Sequence, residues 1–286
     1  MLNVMPHNPS VHADKAWPYP YLYIYYISGR VPANDKPRLG PSFIGNWKEG
    51  ETSFLFFTES ADDVVDRFLA VRPSLALTDR FEMSYEDWHG GPVLPFQVGG
   101  FHVVPPWVQT SADADVHTLI LDPGVVFGAG NHPTTRHCLM AIEALMANES
   151  VGNVLDLGAG TGLLALAAAR RGAARVLAVD NNFLAAWTAL INVRHNHLTD
   201  RVFSVAGDAR DFIDYPADLV VANIHYDVMR QLVEAPGFRK KKWFILSGLM
   251  RTQARQIKDR LAYDQADMLD EWIQDGIWHT ILGEMK

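Results

Sequence analysis

The chain has 286 residues, 48% hydrophobic and 20% charged, a composition that fits one large domain or two ordinary ones and excludes extensive disorder. Its 25 Lys and Arg against 33 Asp and Glu leave a formal net charge of −8. Cys138 is the only cysteine, so no internal disulfide is possible, and no apolar run approaches the roughly 18 residues of a membrane span. The first residues show neither a basic region nor the apolar core of a signal peptide, so the cytoplasm is expected and a membrane is not. Arg239 to Lys242 is the densest basic cluster and reads as a solvated turn, so no direct nucleic-acid contact is expected.

Residues 1–20 are Pro-rich and polar and read as a loose lead-in. Tyr21 to Ile27 is a first strand, rich in aromatic and β-branched residues. Arg30 to Pro41 carries three prolines and a glycine, which excludes a helix. Ser53 to Phe57 is a second strand, and Ala61 to Ala70 a helix with Ser60 or Thr58 as its N-cap. Phe96 to Val104 is extended, broken at Gly99-Gly100 and closed by Pro105-Pro106-Trp107. These elements predict a small α+β domain over residues 1–108. From Glu49 to Asp87 it holds ten Asp and Glu against three Arg, a balance of −7. A soluble surface accounts for that charge; it would also attract a basic partner.

The pattern then changes, and residues 109–286 read as a second domain. His117 to Leu121 is a strand, and Asp122 to Thr135 a loop rich in Gly and Pro. A helix follows with Pro133 in its first turn and Leu139, Ile142, Leu145 and Met146 on one face. Strands at 153–157, 175–180, 202–206, 218–223 and 243–247 alternate with helices at 163–171, 183–196, 226–234 and 251–263. Such alternation means a parallel sheet covered on both faces. Asp267 to Ile273 and Ile277 to Leu282, joined through Asp275-Gly276, predict a closing antiparallel hairpin. The expected class is α/β: a Rossmann-like, mostly parallel sheet with a closing antiparallel hairpin, an arrangement that resembles the class I methyltransferase sheet and by itself gives no reaction.

The chemistry concentrates at Asp156-Leu157-Gly158-Ala159-Gly160-Thr161-Gly162, between the strand Val154-Leu155 and the helix from Leu163. The glycines allow close backbone approach to a ligand, and the helix start offers free N–H groups. Asp180 ends the next strand, where a carboxylate can take both ribose hydroxyls. A dinucleotide fingerprint reads G-x-G-x-x-G. Here the spacing is G-x-G-x-G, with Asp156 two residues ahead. An acid there repels a pyrophosphate and suits a cation. S-adenosyl-L-methionine, which carries a sulfonium and an ammonium, fits better than NAD.

Three further segments carry a family resemblance. Leu121-Asp-Pro-Gly-Val-Val-Phe-Gly-Ala-Gly-Asn-His-Pro-Thr-Thr135, Val220-Val-Ala-Asn-Ile224, and Leu246-Ser-Gly-Leu249 with Gln253 resemble motifs of the bacterial ribosomal protein L11 methyltransferase (PrmA) family. With the glycine motif and the ending from Glu271 to Gly283, the resemblance spans roughly residues 92–286. It implies a methyltransferase that uses S-adenosyl-L-methionine to methylate lysine or α-amino groups of a basic ribosomal protein of the large subunit. It also implies cofactor contacts from Thr135, Gly158, Asp180 and Asn223. Gly160 and Asp156 belong to the same turn. Asp208 ends the third strand of the sheet and can accept from the adenine amino group.

The family's front domain is ferredoxin-like, and residues 28–52 hold too much Pro and Gly for its first helix. The front part therefore reads as reduced. After Asn223-Ile224 the chain has His225-Tyr226, superficially like the Asn-x-x-aromatic pattern of enzymes that methylate base amino groups. Asn223 can orient an acceptor amine. Tyr226 either lines an amine pocket or starts the next helix. Phe127 either faces the developing methylammonium or packs the loop. His132, His137, His195 and His197 lack a ligand set for a metal and read as surface or packing residues. Two other functions stay open: methyl transfer to a different protein, a small amine or a nucleobase, and non-catalytic binding of S-adenosyl-L-methionine.

Overall fold

A computed structural model describes residues 19–32, 39–108 and 117–286. Most of the expected lead-in, and the first residues beyond the 108/109 division, lie outside the described residues.

The front of the chain forms a four-stranded antiparallel sheet of β1 (Tyr21–Ser28), β2 (Phe43–Glu49), β3 (Thr52–Phe57) and β4 (Ala76–Ser84), in the order β2-β3-β1-β4. One helix, α1 (Asp62–Ala70), crosses from β3 to β4. This is the ferredoxin-like strand order, and among the described residues no helix lies between β1 and β2. β1 explains the packing by simple alternation. Tyr25 and Ile27 face Val65 and Phe68 of α1, and Val31 and Leu39 from the Pro-rich loop fill that side. Leu22 and Ile24 face the other way, with Phe56, Val125, Val126 and Leu184.

Two details of the front part differ from the sequence reading. β2 and β4 went unseen, because Gly45 interrupts the pattern of one and Asp79, Arg80 and Glu82 mask the other. The N-cap of α1 is Ala61 rather than Ser60 or Thr58. Its N–H donates to the Tyr25 hydroxyl at 2.8 Å, and Ser60 bonds the Asp62 carboxylate instead.

After α2 (Tyr85–Trp88) come β5 (Phe96–Val98), β6 (Phe101–Val104) and β7 (Thr118–Ile120), a three-stranded sheet in which β6 and β7 run parallel. Val98, Phe101, Val103 and Leu119 belong to the same core as α3 (Pro133–Asn148) and α4 (Leu163–Arg170).

The main sheet has seven strands: β8 (Asn153–Leu157), β9 (Arg175–Asp180), β10 (Val202–Ala206), β11 (Leu219–Asn223), β12 (Trp243–Met250), β13 (Asp267–Gln274) and β14 (Trp278–Glu284). Their order is β10-β9-β8-β11-β12-β14-β13, with β8 to β12 parallel and β14 antiparallel between β12 and β13. The predicted parallel sheet and closing hairpin are both present, and Asp275 and Gly276 take positive φ at its turn. Helices α3, α4 and α5 (Phe183–His195) cover one face. The other is covered by α6 (Ala209–Phe212), α7 (Tyr226–Glu234) and α8 (Arg251–Tyr263). Leu139, Ile142 and Leu145 of α3 are buried as expected, and Met146 packs at the edge of that core. Among the described residues no helix is long and apolar enough to cross a membrane.

A chain of hydrogen bonds ties the front part to the sheet. The Tyr85 hydroxyl donates to Asp122 Oδ1 at 3.2 Å, and His89 Nε2 pairs with the Gly124 carbonyl at 3.0 Å. Asn192 of α5 receives the Asp122 N–H and donates to both the Asp122 and Thr161 carbonyls. Tyr85→Phe removes the bridging hydroxyl from a buried site. It should cost about 1–2 kcal/mol and lower the melting temperature by several degrees. An unchanged melting curve would contradict this coupling.

Candidate active site

Strand order turns at β8, which has β9 on one side and β11 on the other. Open α/β sheets leave a crevice at the carboxyl ends of strands at such a point. Gly158 follows β8, Asp180 ends β9 and Asn223 ends β11, so three residues distant in sequence meet at one edge.

The glycine turn is shaped for close approach. Gly158 and Gly160 have φ of +78° and +55°, in the left-handed region that disfavours side chains. A Cβ on Gly158 would lie 2.1 Å from Ile224 Cγ2, and one on Gly160 would lie 2.5 Å from the Phe127 carbonyl oxygen. Phe127 and Gly128 thus form a strap across the turn, fixed by the Thr161 hydroxyl donating to the Gly128 carbonyl at 2.7 Å. A cavity of about 20 Å³ remains between strap and turn, lined by Phe127, Thr135, Gly158, Gly160 and Asn223.

Two acids lie at this edge. Asp156 is only 1% exposed, and neither carboxylate oxygen has a hydrogen-bond partner of good geometry among the described residues. Burial pushes its pKa up to about 7; the Ala165 N–H offsets this in part, and the charge of Asp180 adds to it. Asp180 accepts from the Gly160 and Asn182 N–H groups, each at 2.9 Å. Burial raises its pKa, and those two amides oppose the rise.

Asn223 Nδ2 donates to Thr135 Oγ1 at 3.4 Å, joining β11 to the start of α3. Asp208 caps α6 and lies in a separate cavity at the end of β10. Arg210 holds its carboxyl below the usual range. Tyr226 is not brought to the glycine turn. It is the first residue of α7, packs on the opposite core, and donates its hydroxyl to Gln256 of α8 at 2.6 Å. His225 caps the same helix and is exposed.

Two residues here carry no site role in the sequence reading, which takes His132 for a surface or packing residue. His132 is the N-cap of α3, with its ring 5.7 Å from Phe127 and 5.1 Å from Trp278. Burial lowers its pKa, which favours the neutral imidazole. Its position just before Pro133 was a legible cap signal. Trp278 had no local signal, because only the hairpin brings it here. Phe127, 56% exposed, and His132 also line a cavity of about 760 Å³ whose front wall holds Trp47, Phe54, Phe81 and Trp88. No group of three or more His, Cys, Asp or Glu among the described residues is placed to hold a metal ion.

Residues 62–286 match the family model described as ribosomal protein L11 methyltransferase (PrmA). The chain belongs to this family. A ribosomal protein L11 methyltransferase of Clostridium perfringens is 32% identical over 211 residues, covering 72% of this chain and 66% of that protein. One from Myxococcus xanthus is 32% identical over 233 residues, covering 80% and 77%. The crystal structure of ribosomal protein L11 methylase from Lactobacillus delbrueckii subsp. bulgaricus aligns with TM-score 0.55 at 26% identity, over 67% of this chain and 97% of that one. The family match takes in α1, β4 and the whole main sheet, and leaves β1, β2 and β3 outside.

Proposed function

We propose that this protein transfers a methyl group from S-adenosyl-L-methionine to an amino group, lysine or α-amino, of a basic ribosomal protein of the large subunit. The observation that carries the reading is the meeting of Gly158, Asp180 and Asn223 at one sheet edge, with the buried Asp156 two residues before the glycine turn. A buried carboxylate suits a cationic ligand. The donor set fits this cofactor end to end. Asp156 and Thr135 serve its amino-acid end, Gly158 and Gly160 admit its backbone approach, and Asp180 takes the ribose hydroxyls. Asp208 lies at the adenine end. The strap at Phe127 and Gly128 must lift from the turn to admit a ligand of this size, since the present gap is about 20 Å³.

Bound there, the cofactor supplies an electrophilic methyl group. The chain's own residues do the rest. An amine attacks only when neutral, whereas a free lysine has a pKa of about 10.4. The aromatic walls of the neighbouring cavity lower water access and favour the neutral form. Asn223 Oδ1 accepts an amine N–H and turns the lone pair toward the methyl. Phe127 presents its ring face to the positive charge that develops on nitrogen. Alignment supplies most of the acceleration. Tyr226 has no part in this proposal.

The front sheet, with its acid-rich composition, receives the basic acceptor protein, and with α1 acts as the recognition part of the 1–108 region. The protein works in the cytoplasm, without membrane or direct nucleic-acid contact. Calorimetry with S-adenosylhomocysteine tests the cofactor assignment. Asp180→Ala should weaken binding about 10- to 100-fold, since charged hydrogen bonds to the ribose are lost. Unchanged affinity would remove Asp180 from the site.

A further inference from the structure

The front sheet carries apolar side chains on both faces. Helix α1 covers the face of Tyr25 and Ile27. On the other face Leu22, Ile24 and Phe56 rest on Val125, Val126 and Leu184. The rest of that face reaches beyond this contact. In the sheet register Trp47 stands opposite Phe54, Phe54 opposite Tyr26, and Phe81 opposite Ile24, so these side chains share one side of the sheet. Phe54 also stacks on Tyr26, with ring centroids 4.8 Å apart. With Trp88 they wall the cavity of about 760 Å³, and Phe81 and Trp88 are exposed. Phe127 and Gly128 line this cavity and also the gap over the glycine turn, so the two spaces meet at the strap.

An open aromatic face of this size calls for an occupant. Its charge says which kind. Glu49, two residues beyond Trp47 on the same side of β2, lines the cavity and is exposed, and no Lys or Arg lines it among the described residues. Burial holds the two lining histidines, His89 and His132, toward the neutral form. Asp79, opposite Tyr26, adds an acid to the same face. Lysine and arginine lay a long apolar stem along apolar surface and keep the charged head in water, and the face of an aromatic ring attracts that head. An aromatic pair that ends in an exposed carboxylate matches this order, rings for the stem and acid for the head. An uncharged apolar ligand would leave Glu49 without a role. Trp47, Glu49 and Phe54 precede residue 62, where the family match begins, so this wall lies outside the family model.

We infer that this face receives an extended basic segment of the acceptor protein, with one lysine or arginine stem across Trp47 and Phe54 and its charge at Glu49. The inference rests on the function proposed above and deepens it. The target amine passes Phe127 to reach the glycine turn, while the neighbouring charged head stays at the exposed rim. Acceptor choice is then set by a basic residue beside the target, read by β2 and β3.

The test is calorimetric titration of the full chain, at low ionic strength, with acetyl-tetralysine amide and with its ε-acetylated form, which keeps the stems and loses the charges. The wild type should bind the charged peptide about tenfold tighter or more. Glu49→Lys should weaken it by about tenfold, and Glu59→Lys, the same charge change on an exposed acid outside the cavity, by less than about threefold. Trp47→Leu keeps apolar bulk, removes the ring face and should weaken it by about fivefold. In methyl transfer to ribosomal fractions of a strain lacking this protein, Glu49→Lys should raise the acceptor KM by more than it lowers kcat. Equal losses in Glu49→Lys and Glu59→Lys would reduce the effect to net charge and overturn the inference. Equal affinity for the two peptides would mean an apolar occupant and overturn it too. So would a sedimentation coefficient that rises with protein concentration and falls back in Trp47→Leu, which would give the face to a second copy of this chain. Asp180→Ala separates the two levels: unchanged S-adenosylhomocysteine affinity there fails the cofactor reading and leaves the peptide result standing.

Discussion

Asn223→Ala lowers kcat by about 10²- to 10³-fold while leaving S-adenosylhomocysteine affinity within about threefold of wild type. The size follows from losing one pre-aligned polar contact to the reacting nitrogen. Asn223 is oriented for that task by one hydrogen bond, from its Nδ2 to Thr135 Oγ1 at 3.4 Å. Gly248, without a side chain, leaves room beside its Oδ1, where a Cβ would lie 3.1 Å away. Alanine leaves the glycine turn, Asp156 and Asp180 untouched, so cofactor binding persists while the acceptor loses its guide. Single-turnover kinetics beside calorimetry separates the two effects. Normal turnover would remove Asn223 from the reaction, and a parallel loss of binding would make it a cofactor contact only.

Asp156→Asn makes the ligand-free protein more stable at pH 8 and leaves its stability at pH 4 nearly unchanged. The sign follows from linkage. The folded carboxyl titrates at about 7, against an unfolded value of 3.8. Between those values the folded state holds the extra proton, so stability falls as pH rises from 4 to 7. A shift of this size corresponds to as much as roughly 4 kcal/mol. An amide cannot ionise and escapes this loss. The raised pKa of Asp180 acts in the same direction in both proteins, so their difference isolates Asp156. Denaturant melts across this pH range check it. The same substitution should weaken S-adenosyl-L-methionine by about tenfold or more, because the site loses its charge for the ammonium. Equal stability of the two proteins at pH 8 would mean that Asp156 is paired in solution.

Much of the main sheet was legible because its signals are local. Apolar runs of four to six residues alternate with helices, and α8 begins and ends where the pattern places it, at Arg251 and Tyr263. Gly158, Gly160, Asp180 and Asn223 sit at strand ends that follow from those runs. The front part was less legible. β4 pairs on one side only and is mostly exposed, so its charged residues follow no apolar alternation. Tyr226 shows the limit of a short motif. Asn-Ile-His-Tyr reads the same whether the ring points to the site or to α8, and only the packing against Gln256 tells which. Trp278 depends on a contact across the fold, its ring 5.1 Å from that of His132. No spacing within the sequence announces that a hairpin and a loop will flank one crevice.

The most direct measurement is transfer of labelled methyl from S-adenosyl-L-methionine into ribosomal fractions of a strain lacking this protein. The account predicts label in one small basic protein of the large subunit, on an amine, at a rate that Asn223→Ala lowers by about 10²- to 10³-fold. Absence of protein label, with S-adenosylhomocysteine binding intact and that ribosomal protein present and unmethylated, would contradict it.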